Sequence, residues 1–128
     1  MNAATETTTT ARETLTIVVS DEVRGTTTTV TLDIPADLTA EHRADLTFFV
    51  ESYHLSDGLL VGHDARRFML PREIAGEALA DCGSFERACG HLIEAARVNE
   101  SDSDRACSAN EARNTERAAC LLLNMRSR

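Results

Sequence analysis

From residue 13 onward the chain alternates. Leu15, Ile17 and Val19 fall on one side, and Thr14, Thr16 and Val18 on the other. The same period returns over 26–34, where Thr28, Val30, Leu32 and Ile34 oppose Thr27, Thr29 and Thr31. β-Branched residues with a period of two build half-buried strands. Turn-forming residues lie between the runs, from Asp21 to Gly25, so the pattern predicts an antiparallel hairpin whose threonines form its wet face. The functional alternative is an exposed edge that accepts a strand from a partner.

After Pro35 the period changes. Leu46, Phe49, Val50 and Tyr53 recur at helical spacing, which predicts a helix from near Thr39 to about His54, with Gly58 as a stop soon after. Two short apolar runs, 59–61 and 68–70, flank the polar residues 62–67 and predict a second, smaller hairpin. Pro71 suits a first helical turn. Ala75, Ala78, Leu79 and Cys82 then form a stripe that Gly83 ends. Ser84 is a good N-cap, with Glu86 placed to suit the dipole. Phe85, Ala88, Cys89, Leu92 and Ala96 line the helix that follows. A polar connection over 99–104 leads to a last helix, about 104–125. That helix is apolar only at its end, at Ala118, Leu121, Leu122 and Met125, so its first half is expected to stand out from the domain or fray. Residues 1–12 are Thr-rich without large apolar groups and are expected to be a disordered tail. The expectation is one α+β domain over 13–128: hairpin, helix, second short hairpin, then three C-terminal helices.

Composition narrows the picture. A chain of 128 residues fits one ordinary domain. It is 42% hydrophobic but only 4% aromatic, so its core must be aliphatic. No apolar run approaches the ~18–20 residues that a membrane helix needs. The first twelve residues have no apolar stretch of the secretory kind, which predicts a cytoplasmic protein with free thiols. There is no Lys and no Gln, and all 13 basic residues are Arg. This reads as the codon usage of a GC-rich genome; the alternative is selection for Arg at anion sites. The net charge of −8 is uneven. Residues 1–64 hold 3 Arg against 11 acids, residues 65–128 hold 10 of each, and the chain from Arg105 onward is net +3. An acidic half repels nucleic acid and attracts basic partners.

Catalytic and metal chemistry find little support. Cys82, Cys89, Cys107 and Cys120 form no tight pair of the structural-zinc kind. Cys89 and His91 are ~200° apart around a helix and cannot share an ion. Cys82, Cys89 and Cys107 fall on apolar stripes, where a thiol acts as a small hydrophobe. A cysteine nucleophile needs an exposed thiolate beside a base, whereas His91 points away from the stripe. The pair His63–Asp64 reads as a polar turn. The run Asp102-Ser103-Asp104 opens like a calcium loop, but no further ligand pattern follows. Arg66, Arg67 and Arg72 are suited to a phosphate or carboxylate, against the plainer reading of a solvated turn. No catalytic residue, cofactor site or metal site is assigned.

The acidic residues carry the functional reading. Asp37, Glu41 and Asp45 fall at i, i+4 and i+8, neighbours on one helix face. Asp21 and Glu22 lie in the adjacent hairpin. The plainer alternative is an ordinary helix face, with acids favoured near its N-terminus by the dipole. The expectation is a small non-enzymatic interaction protein that sets this carboxylate-rich face against a basic protein partner, as an inhibitor mimicking nucleic acid. A Cys/His-based metal-binding domain or small enzyme is the alternative. Nucleic-acid binding by the Arg-rich C-terminus is disfavoured. Ala118, Leu121, Leu122 and Met125 are assigned as a homodimer or partner-helix face, since exposed apolar patches mark interfaces.

Overall fold

The structure, a computed structural model, describes residues 11–56, 69–101 and 108–126. Strands β1 (Arg12–Asp21) and β2 (Thr26–Pro35) pair antiparallel, residue for residue, from Arg12 opposite Pro35 to Asp21 opposite Thr26. The alternation works as the sequence implies. Ile17, Val19, Val30, Leu32 and Ile34 are buried, while Thr14, Thr16, Val18, Thr27, Thr29 and Thr31 are exposed. Asp21 builds the turn: its carboxylate accepts from the amides of Val23 (3.1 Å) and Arg24 (3.2 Å). Its carbonyl accepts from the amide of Gly25 (2.8 Å). Gly25 has φ +69°, a left-handed conformation that glycine adopts without a steric cost. Arg12, expected in the tail, belongs to the strand, where its guanidinium meets Asp33 at 3.2 Å.

Helix α1 (Ala40–Ser56) starts beside Thr39, as the spacing predicts, and Thr39 proves to be its cap, with Oγ1 accepting from the amide of His42 at 3.0 Å. It buries Leu46, Phe49 and Val50. Arg43 fixes it to the hairpin through three contacts from one guanidinium. Nε donates to the Leu38 carbonyl (3.1 Å), Nη2 to the Ala36 carbonyl (2.8 Å) and Nη1 to Glu13 on β1 (2.6 Å). Such charge-assisted forks hold a fixed geometry.

Helix α2 (Pro71–Cys82) opens with Pro71 in its first turn. Glu73 turns back to accept from the amide of Leu70 at 2.9 Å, and Gly83 (φ +68°) closes the helix onto the Leu79 carbonyl. Helix α3 (Phe85–Ser101) is capped by Ser84, whose Oγ accepts from the amide of Arg87 at 3.3 Å. Helix α4 (Ser108–Leu123) ends in a 3₁₀ turn, Asn124–Arg126. The start of the expected last helix, 104–107, lies outside the described residues; its middle is integrated rather than free, since Thr115 is only 3% exposed and Asn114 donates to the Met69 carbonyl at 3.2 Å. The expected second hairpin falls mostly on 57–68, outside the described residues. Met69 and Leu70, its described end, are not strand: Met69 is buried in the core and Leu70 caps α2. The described elements are thus one hairpin and four helices, an α+β arrangement.

The four helices gather on the inner face of the sheet, with α1 against β1 and both α2 and α3 against β2. Helix α4 packs on α2 and α3. The tightest joint is between α1 and α2. A Cβ placed on Gly76 would overlap the Phe49 carbonyl oxygen and lie 2.6 Å from its carbon. Backbone cannot yield as a side-chain end can, so only glycine fits there. Gly90, on α3, has open space around it, with nothing within 4 Å of where a methyl group would stand. Gly76→Ala should therefore cost about 2–3 kcal/mol or more through overpacking. Gly90→Ala should stabilise by about 0.5–1 kcal/mol through helix propensity. Paired denaturant melts check both signs; equal effects would remove the close approach as the cause.

Candidate interaction surfaces

The five acidic residues do not form one surface. Asp21 and Glu22 sit at the turn end of the hairpin, whereas α1 starts from its other end. Ten strand residues separate the two ends, about 30 Å at ~3.3 Å per residue. Asp21 is moreover committed to the turn amides and to Arg24, whose Nε lies 3.2 Å from its carboxylate. Asp37 lies in the turn before α1, not on the helix. Glu41 and Asp45 remain as helical neighbours, both exposed. Helical spacing puts Phe48, Ser52 and Leu55 on the same arc of α1, ~80° wide at 100° per residue. Phe48 is 49% exposed and Leu55 45% exposed, and the Arg72 guanidinium lies 5.6 Å from the Phe48 ring centre. The outer face of α1 is thus acidic at its first turns and apolar further along. Sequence reading gave Phe48 no role, although its spacing from Glu41 and Asp45 was available.

The C-terminal stripe is used within the fold. Ala118 and Leu122 are fully buried and Met125 nearly so, packed in the chain's own core. Leu121 is half-buried. An apolar stripe at helical spacing signals burial, but not whether the covering surface belongs to the same chain.

An open groove of about 210 Å³ runs between α2, α3 and α4. Ile74 and Leu92 supply apolar lining, and Glu77, Asp81, His91 and Glu111 supply polar lining. Among the described residues no three His, Cys, Asp or Glu side chains are placed to hold a metal ion together. Also among them, no helix is long and apolar enough to cross a membrane.

The thiols are set by packing. Cys89 is fully buried, Cys82 half-buried and Cys120 exposed, while Cys107 lies outside the described residues. Burial pushes the Cys89 thiol up to about 11; nearby Arg126 opposes the shift and Glu86 adds to it. Burial also raises Cys82, helped by Asp81 and opposed by Arg87. Neither is poised as a thiolate nucleophile, which requires a lowered value. His91 is exposed on α3, on the far side from Cys89. Among the described residues, neither His42 Nδ1 nor His54 Nε2, both buried, meets a hydrogen-bond partner, and the His54 ring lies 5.0 Å from that of Tyr53.

No protein-family model, curated protein or solved structure matches the chain.

The raised Cys89 value has a pH consequence. An unfolded thiol loses its proton near 9.0, while the folded one holds it to about 11. Between these values the native state binds more protons, so stability falls as pH rises through that window. Two units correspond to a loss of roughly 2–3 kcal/mol. Denaturant melts from pH 8 to 11 should show this decline, and Cys89→Ala should reduce it. An unchanged slope in the variant would place the proton elsewhere.

Proposed function

We propose that this protein is a non-enzymatic interaction module that binds a basic protein partner through the outer face of α1. What carries the reading is the placement of Phe48 and Leu55, two half-exposed apolar side chains, on the same arc as Glu41 and Asp45. Apolar anchors beside charge give both affinity and orientation: the anchors supply burial, and the carboxylates select and steer a cationic partner. Asp37, one turn before the helix, extends the negative end. The overall charge of −8 works in the same direction over longer range. An inhibitory role, with the face occupying a site that otherwise takes a polyanion, is the finer form of this proposal.

The test is capture from nuclease-treated lysate of the source cells, using the intact chain and two double variants. The wild type should retain a stoichiometric protein at low salt and release it at high salt. Glu41→Ala with Asp45→Ala should lose it. Phe48→Ala with Leu55→Ala should weaken it by about tenfold or more, the loss of a well-packed anchor. Circular dichroism melts should stay within a few degrees of the wild type. A partner held equally by all three chains would overturn the proposal.

A further inference from the structure

We propose that the outer edge of β1 pairs antiparallel with the same edge of a second copy of this chain, joining two hairpins into one four-stranded sheet. The register within the hairpin shows which backbone groups are available. The Ala36 amide donates to the Ala11 carbonyl across the ladder, and the Asp33 amide donates away from it, to Gly83. Bonded and non-bonded pairs alternate in an antiparallel ladder. Glu13, Leu15, Ile17 and Val19 therefore spend their backbone groups on β2, while Thr14, Thr16, Val18 and Ser20 direct theirs outward. Among the described residues nothing bonds to these outward groups.

An edge of this kind is ordinarily blunted by Lys, Pro, a bulge or an inward charge. Residues 14–20, TLTIVVS, contain no charge and no Pro, and the pairing register runs without a bulge. The other edge is different: Gly83 and Ser84 lie against β2 at Asp33. Among the described residues the hairpin thus has one edge occupied at Asp33 and one open, β-branched edge.

Self-pairing is compatible with the charges along the edge: residues 14–20 are uncharged, and the charged residues that meet at the ends are already paired within their own chains, Glu22 apart. A two-fold axis through Ile17 sets Thr14 opposite the partner's Ser20 and Thr16 opposite the partner's Val18. Each of the four outward residues then exchanges two hydrogen bonds. The same register brings Arg12, which holds Asp33 at 3.2 Å in its own chain, opposite the partner's Glu22, at both ends by symmetry. It also brings Glu13 opposite the partner's Asp21, but each of these already holds an arginine of its own chain: Arg43 at 2.6 Å and Arg24 at 3.2 Å. Val18, 54% exposed in the single chain, gains a β-branched neighbour across the new ladder. The sheet doubles from two strands, the least stable number, to four.

Sedimentation over a concentration series tests this on the intact chain. The wild type should form a reversible dimer of two 14.0 kDa chains. Val18→Pro removes an N–H that the hairpin does not use and should raise the dimer dissociation constant by about tenfold or more. Thr16→Lys with Val18→Lys, both at exposed positions, should do the same and decides the matter if the proline variant fails to fold. Glu22→Arg should weaken the dimer about two- to fivefold at low salt, as an exposed end pair predicts. A wild type that stays monomeric at its highest workable concentration would overturn the proposal, as would a dimer unaltered by the proline and lysine variants. The inference does not depend on the acidic-face reading. Glu41→Ala with Asp45→Ala should leave the dimer intact, so either can fail alone.

Discussion

A two-stranded sheet cannot stand by itself, and the rest of this structure answers that constraint. The hairpin gains little from its own ladder; its worth lies in the apolar row of Ile17, Val19, Val30, Leu32 and Ile34 on one face. That row must be roofed, and in a chain with 4% aromatic residues the roof has to be aliphatic and close. The helices meet the need by approaching one another until backbone touches backbone at Gly76 and Phe49. Arg43 sets the angle at which the roof begins, because its guanidinium ties the first turns of α1 to the chain leaving β2 and to Glu13 on β1.

Burying so much of the small-residue stripe shapes the surface. Ala75, Ala78, Ala88, Ala118 and Ala119 all lie inside, with Cys89 among them. The sulfur is there for its volume, and its chemistry is suppressed by the same desolvation that makes it a good filler. What reaches the surface includes a threonine-rich sheet face and a mixed acidic and apolar face of α1.

Much of the fold was legible because local rules and packing agree. Period-two alternation located both strands. Thr39, Ser84 and Gly83 marked helix ends through their capping chemistry. Arg12 was misplaced because a charged residue at a strand start looks like tail; its pairing with Asp33 is a non-local event that composition does not carry. The polar first half of the last helix reads as standing out from the domain, yet Asn114 finds the Met69 carbonyl 45 residues away. The site was less legible than the fold. Asp37, Glu41 and Asp45 have the right spacing, but Asp37 precedes the helix that would align them, and Asp21 is consumed by its own turn. Spacing reports proximity only once the element is known to contain every member.

Gly83 has a consequence beyond ending a helix. Its carbonyl takes the Asp33 amide, and Ser84 bridges to the same residue, so the β2 edge is occupied there against any strand that arrives from outside. A sheet that is open on both edges can add copies without limit, the geometry of fibres. One that is blocked on a single edge adds no copy there: under the pairing proposed at β1, each chain would bring its own blocked edge. A left-handed glycine at a helix end would thus also bear on how many chains can join.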